Sequence, residues 1–290
     1  MPNTILVTGA TGNVGREVVT SLLKNGFKVR AGVPHPDKAK LPGGVKVVYM
    51  DYNEVSSVED ALKDVYGMFM IAPPLDAKAA DKLNPTIDRA KKAGVIHIVL
   101  NSVYGADKAE GSPMRAVESY LRNSGVKYTI IRPNFFMENF TKGMTASMIR
   151  DRHEISLAAG DGKTSFITTK DIGEAVAIIF AEKHFGKEYS LTGPEALNYT
   201  QVARIIGDAI GEPVKYNKIT EEQMIGAARN AGLPDDAARY LGMLYEFVRD
   251  GQASGLTTDI EQLTRHKPTS FEEFAQSHAS AWKVTAKTTS

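Results

Sequence analysis

The amino-acid sequence predicts an α/β fold, a doubly wound parallel sheet with a smaller, mostly helical C-terminal lobe. Three observations carry this. Short β-branched runs alternate with helical patterns through the first half, a glycine-rich turn joins the first strand to the first helix, and the alternation gives way to helices after Arg132.

Taken in order, the strand-like runs are Ile5–Thr8, Lys28–Val33, Lys46–Met50, Gly67–Ile71, His97–Ser102 and Lys127–Arg132. Between the first two, Val14, Val18, Val19, Leu22 and Leu23 recur at helical spacing, and Gly26 supplies a stop, so this stretch reads as a complete βαβ crossover. Ser56 with Glu59 has the spacing of a capping box, and Ser112-Pro113 reads as N-cap and first helical position. Later helices are expected near Asn134–Arg150, Asp171–Glu182, Thr200–Ile210, Glu221–Asn230, Asp235–Arg249 and Ser270–Trp282. Another strand-like run, Tyr189–Thr192, implies that the chain rejoins the sheet within 165–195. The expected division is therefore a first domain over 1–150 and a second, mainly substrate-binding lobe over 151–290, with a loose polar tail from Thr285 to Ser290.

Composition narrows the function. Lys plus Arg number 35 against 34 Asp plus Glu, so no net field draws the chain onto nucleic acid or an anionic membrane. With no cysteine there is neither a disulfide scaffold nor a thiolate metal site, and the six histidines contain no H-x-x-x-H pair, so no metal is expected. No apolar run is long enough to span a bilayer, and Ile5–Thr8 follows the initiator Met too closely for a signal peptide. The expectation is a cytoplasmic protein, monomeric or homodimeric, acting on a small molecule.

The turn reads Thr8-Gly9-Ala10-Thr11-Gly12-Asn13-Val14-Gly15. Gly9 suits a tight turn, Gly12 lets backbone approach a pyrophosphate, and Gly15 lets helix and strand pack closely. Free amides at the helix start then face the phosphates, with Thr11, Asn13 and Val14 around them. A dinucleotide-binding Rossmann unit follows from this context, because the triplet sits between a strand and an amphipathic helix.

An NAD-binding unit usually ends its second strand on a carboxylate for the ribose hydroxyls. Here that segment is Arg30-Ala31-Gly32-Val33-Pro34-His35. With no acid present, and with Arg30, His35 and Lys38 available to neutralise a 2′-phosphate, the expected cofactor is NADP(H). Val33, Asp51, Ala72, Pro73, Pro74 and Asn101 lie at strand ends, where they would line the cofactor, although Asp51 could equally cap the next helix.

Beyond Thr8–Gly15, the chain resembles the NmrA-like, atypical branch of the short-chain dehydrogenases/reductases. The resemblance rests on Asn101-Ser102-Val103-Tyr104-Gly105-Ala106-Asp107, on Tyr128 to Asn139, on Phe166 to Asp171, on Tyr189 to Leu197 and on the terminal Ser270–Trp282. It implies a Rossmann lobe, a smaller lobe and a substrate cleft. It also implies either an NADPH-dependent reductase of quinones, dyes or similar conjugated acceptors, or a redox sensor that binds the cofactor without turnover.

Ordinary short-chain dehydrogenases use Tyr-x-x-x-Lys to trade a proton with a carbonyl or alcohol. Alignment puts Met114 at the Tyr position and Glu118 at the Lys position, where Glu118 reads as a solvated helix residue. Met cannot donate a proton. A conjugated acceptor is less demanding, because its reduced form can collect a proton from water. Tyr104 is then the best remaining donor near the nicotinamide, with Ser102 orienting it or the ring, while Met114, Asn134, Phe135, Phe136 and Phe140 would wall the substrate.

Overall fold

A computed structural model describes residues 3–283 of the chain, and the tail from Thr285 to Ser290 lies outside them. In chain order the elements are β1 (Thr4–Thr8), α1 (Asn13–Lys24), β2 (Lys28–Val33), β3 (Lys46–Tyr49), α2 (Val55–Leu62), β4 (Gly67–Ile71), α3 (Ala79–Lys92), β5 (His97–Asn101), α4 (Pro113–Asn123) and β6 (Lys127–Pro133). They continue with α5 (Gly143–Arg152), β7 (Glu154–Leu157), β8 (Lys163–Thr164), α6 (Thr169–Glu182), β9 (Lys187–Leu191), β10 (Leu197–Asn198) and α7 (Tyr199–Ile210). The last are β11 (Lys215–Lys218), α8 (Glu221–Asn230), α9 (Asp235–Arg249), α10 (Asp259–Thr264) and α11 (Phe271–His278). Among the described residues no helix is long and apolar enough to cross a membrane.

Two compact units emerge, each assembled from three stretches of chain. Among the described residues, the first comprises 3–133, 169–191 and 258–267, and the second 134–168, 192–257 and 268–283. The chain thus first leaves the sheet unit after Pro133, where sequence reading placed the boundary after Arg150.

Within the first unit, seven strands form one parallel sheet in the order β3-β2-β1-β4-β5-β6-β9, a Rossmann arrangement whose order reverses between β1 and β4. The strands read as continuous apolar runs because both faces are covered. On one face α2, α3 and α4 bury Leu62, Leu83, Ile87, Val117 and Leu121 against Met68, Met70, Leu100 and Ile130. On the other, α1 lies so close to α6 that a Cβ on Gly173 would come within 2.7 Å of the Glu17 carbonyl group.

The second unit has a core of its own, built on Phe140, Phe166, Tyr199, Phe271 and Trp282. Besides its helices it holds two small sheets, β8 with β10 and β7 with β11.

Three local expectations change. No helix spans Asn134–Arg150: after Pro133 the chain forms a bridge at Phe136–Ile167 and a 3-10 turn over Met137–Phe140, and α5 starts only at Gly143, whose φ of +66° suits glycine. The Ser56/Glu59 box does not form, since α2 is capped at Glu54 and the Ser56 hydroxyl donates to the Glu54 carboxylate. Over the C-terminal segment the box is real, Ser270 with Glu273, but the α-helix stops at His278 and continues as a 3-10 turn to Trp282.

Candidate cofactor and active site

The glycine turn has the geometry its spacing demands. Gly9 adopts φ of +59°, and a Cβ there would lie 2.7 Å from Ile71 Cγ2. A Cβ on Gly15 would fall 2.2 Å from the Gly9 oxygen, so that position admits only glycine. Gly12 differs, because within 4 Å its Cβ would meet only the Gly9 oxygen, at 3.2 Å. It donates its own amide to that oxygen at 2.9 Å and caps α1 without a side chain. Gly12 and Thr11 stand exposed at the rim, Asn13 is half-buried, and Val14 turns into the core. The result is a cradle with exposed backbone at the positive end of a helix, which suits a diphosphate.

Around this cradle the strand ends supply further groups. Asn101 ends β5 beside Ile71 of β4, and its buried Oδ1 has no hydrogen-bond partner. An orphaned buried acceptor of this kind fits a donor on a bound ligand, such as a carboxamide. Val33 is buried, Ala72 and Pro73 are half-buried, and Pro74 is exposed. His35 and Lys38 stand exposed in the loop after β2. Asp51 folds into a local turn, accepting from the Asn53 amide at 2.8 Å and from its side chain at 2.9 Å, so it does not cap α2.

Arg30 departs from its expected place. It is buried, and its Nη1 donates to the Ala61 oxygen at 2.8 Å and to the Lys63 oxygen, binding the C-terminal carbonyls of α2. Those carbonyls immediately precede β4, at the opposite end of the sheet from the carboxyl ends of the strands where a phosphate would sit. Two other residues, not singled out by sequence, stand next to the cradle. Arg16 donates Nη1 to the Lys40 oxygen at 2.8 Å and so ties the loop after β2 to α1. Its place on the first turn of α1, next to Gly15, was the available signal. The Tyr52 hydroxyl lies 2.9 Å from both the Ile71 carbonyl, to which it donates, and the Thr8 hydroxyl. Burial holds that phenol well above its ordinary range, so it stays a neutral tie across β1 and β4.

The segment after β5 is held in extended pairing, with the Ser102 amide on the Ile131 oxygen at 2.8 Å and the Tyr104 amide on the Pro133 oxygen at 3.0 Å. Tyr104 is half-buried, and burial together with the Asp107 carboxylate raises its phenol pKa. Ser102 is wholly buried and donates to Glu118 Oε1 at 2.6 Å, so its hydroxyl is engaged below the surface and orients neither Tyr104 nor a ligand.

Glu118, expected in solvent, is also wholly buried. It receives Arg132 through two parallel bonds and Arg122 Nη2 at 2.9 Å. Both arginines also bind Glu188 of β9, whose carboxyl they pull down to about 2, the hydrogen bond from Arg122 contributing most. The sequence hid this cluster because its members come from the segment after β5 and from α4, β6 and β9. Met114 is 3% exposed and packs with Leu100, Ala106 and Ile130 in the sheet core, so it walls no ligand.

In the second unit, Asn134 donates to Ser165 Oγ at 2.7 Å and to the Ala253 oxygen at 2.8 Å, and accepts from the Phe135 amide. Phe140 packs edge-on against Phe166 and Phe271 at 5.4 Å. Both are core pins and not wall residues, because both are almost wholly buried. Phe135 and Phe136 remain half-buried, the former against Tyr245 at 5.7 Å.

Known proteins repeat this architecture. An NADPH-dependent quinone oxidoreductase of Escherichia coli, solved with NADPH, superposes with a TM-score of 0.83 over 94% of this chain and 99% of its own, at 29% identity. The NAD(P)H azoreductase of Xenophilus azovorans is 32% identical over 287 residues, covering 96% of this chain and 99% of the azoreductase. Prestalk A differentiation protein A of Dictyostelium discoideum is 31% identical over 278 residues, covering 94% of this chain and 91% of that protein. The NmrA-like family model matches residues 1–275. On fold, glycine turn and similarity along nearly its whole length, the chain belongs to the NmrA-like family.

Proposed function

We propose that this protein is an NADP(H)-dependent reductase whose acceptor is a flat conjugated molecule of the quinone or dye class. Gly9, Gly12 and Gly15 would hold the diphosphate, Asn101 the nicotinamide side, and Tyr52 with Ala72 and Pro73 the adenosine side. Arg16, His35 and Lys38 would neutralise a 2′-phosphate, with no carboxylate at the end of β2 to repel it. When bound, the cofactor supplies a hydride.

One observation carries the choice of acceptor. The position at which ordinary short-chain dehydrogenases place a lysine holds Glu118, buried and paired with Arg132, and the corresponding tyrosine position holds the core residue Met114. Nothing there lowers a phenol pKa, and Tyr104 is shifted the opposite way. This chain therefore offers orientation and proximity in place of an activated acid. An acceptor that delocalises the incoming electron pair tolerates that, since its proton comes from water. The names of the azoreductase and quinone oxidoreductase relatives support the same class.

The reading is tested by following NADPH absorbance with a panel of quinones and cationic and azo dyes. At least one acceptor should accelerate NADPH loss, and NADPH should bind more tightly than NADH. A flat response across the panel, together with unlike affinities for NADP⁺ and NADPH, would transfer the protein to the sensor class.

A further inference from the structure

Away from the glycine turn, α6 and the 258–267 stretch bring three donor groups together within the first unit. Asp171 and Glu174 sit on one face of α6, three residues apart, and His266 follows α10. His266 Nε2 lies 2.9 Å from Glu174 Oε2, and one carboxylate oxygen of Asp171 completes a trio whose atoms lie within 4.8 Å of one another. Asp171 is 1% exposed, while Glu174 is half-buried and His266 exposed. Lys170 Nζ stands 4.0 Å from the other oxygen of Glu174, and Arg265 and Lys267 flank the histidine in the chain.

The imidazole faces acceptors on both sides. Its Nδ1 lies 3.0 Å from the Lys267 carbonyl and its Nε2 faces the Glu174 carboxylate. A neutral ring has one N–H and can satisfy only one of them. A cation at Nε2 would accept the ring's lone pair while Nδ1–H keeps the backbone carbonyl. With Nδ1–H on a backbone carbonyl, the ring is already in the tautomer and orientation of a metal-bound histidine. Small side-chain rotations would bring the three donors to bonding distance of one ion, about 2.0 to 2.2 Å for zinc with imidazole and carboxylate.

We propose that Asp171, Glu174 and His266 bind a divalent first-row transition ion of the zinc class. One imidazole and two carboxylates form a borderline donor set suited to Zn²⁺ or Co²⁺, with water filling the remaining positions. The ion would staple the 258–267 stretch to α6, and α6 in turn abuts α1, the helix that the glycine turn opens. This site does not depend on the proposed reductase activity.

Calorimetric titration of tag-free full-length protein with Zn²⁺ tests it. One saturable equivalent should bind, and Co²⁺ should give a ligand-field absorption band. His266→Ala and Glu174→Gln should each weaken binding about tenfold or more, with circular dichroism unchanged, while His278→Ala binds as the parent does. Absence of saturable uptake, or uptake indifferent to His266→Ala and Glu174→Gln, would overturn the site and leave a plain histidine–carboxylate contact.

Discussion

Arg132 meets both oxygens of Glu118 in parallel, Nε to Oε1 at 2.8 Å and Nη2 to Oε2 at 2.7 Å, in a place where the carboxylate has no solvent exposure. Such a pair repays its desolvation only while both partners are present. Glu118→Ala leaves the buried Arg132 with only the partly exposed Glu188 and, at 3.9 Å, Asp107, and should destabilise the fold by about 3 to 5 kcal/mol, read from the midpoint of denaturant unfolding.

Ser102→Ala separates structure from chemistry at the end of β5. Its hydroxyl donates to the same buried carboxylate, and losing a hydrogen bond to a charged group costs about 1.5 to 3 kcal/mol. The variant should lose stability on that scale while keeping kcat with a quinone acceptor. Unchanged stability with a collapsed kcat would make Ser102 a catalytic residue instead.

Two glycines of the turn should fail differently. A side chain at Gly15 collides with the Gly9 backbone, so Gly15→Val should unfold the turn and lower Tm. At Gly12 the side chain meets little protein, so Gly12→Val should stay folded and lose nucleotide affinity by about tenfold or more, one lost phosphate contact being worth over 1.4 kcal/mol. Fluorescence titration with NADPH beside a thermal melt distinguishes the two.

His97 gives the fold an acid-sensitive range. It is wholly buried, flanked by Phe180 and Phe185, and burial lowers its pKa to about 4. Thr129 spends its proton on the His184 carbonyl and so accepts from His97 Nε2, which leaves the ring neutral with a bare Nδ1. The folded pKa lies below the unfolded value of 6.5. Its contribution is therefore complete above pH 6.5 and drains away as pH falls towards about 4, on the order of 3 kcal/mol in total. Unfolding free energies measured across that range should decline in the parent and decline less in His97→Phe.

What the sequence determined by itself was local and periodic. The βαβ rhythm, the glycine spacing and the apolar strands all act between near neighbours in the chain, so the parallel sheet and the cradle at Gly9 to Gly15 could be read directly. The tertiary structure alone decided which polar side chains are free to act. Arg30 and Asn134 looked like ligands but are consumed by carbonyls of α2 and of Ala253, and Phe140 by a cluster of rings. Glu118 looked like a solvated helix residue but closes a buried network that reaches Arg132, 14 positions on, and through Arg132 and Arg122 reaches Glu188 of β9. The reason is physical: a hydrogen bond or ion pair of a few kcal/mol forms between groups that packing brings together, and linear spacing carries no record of that meeting.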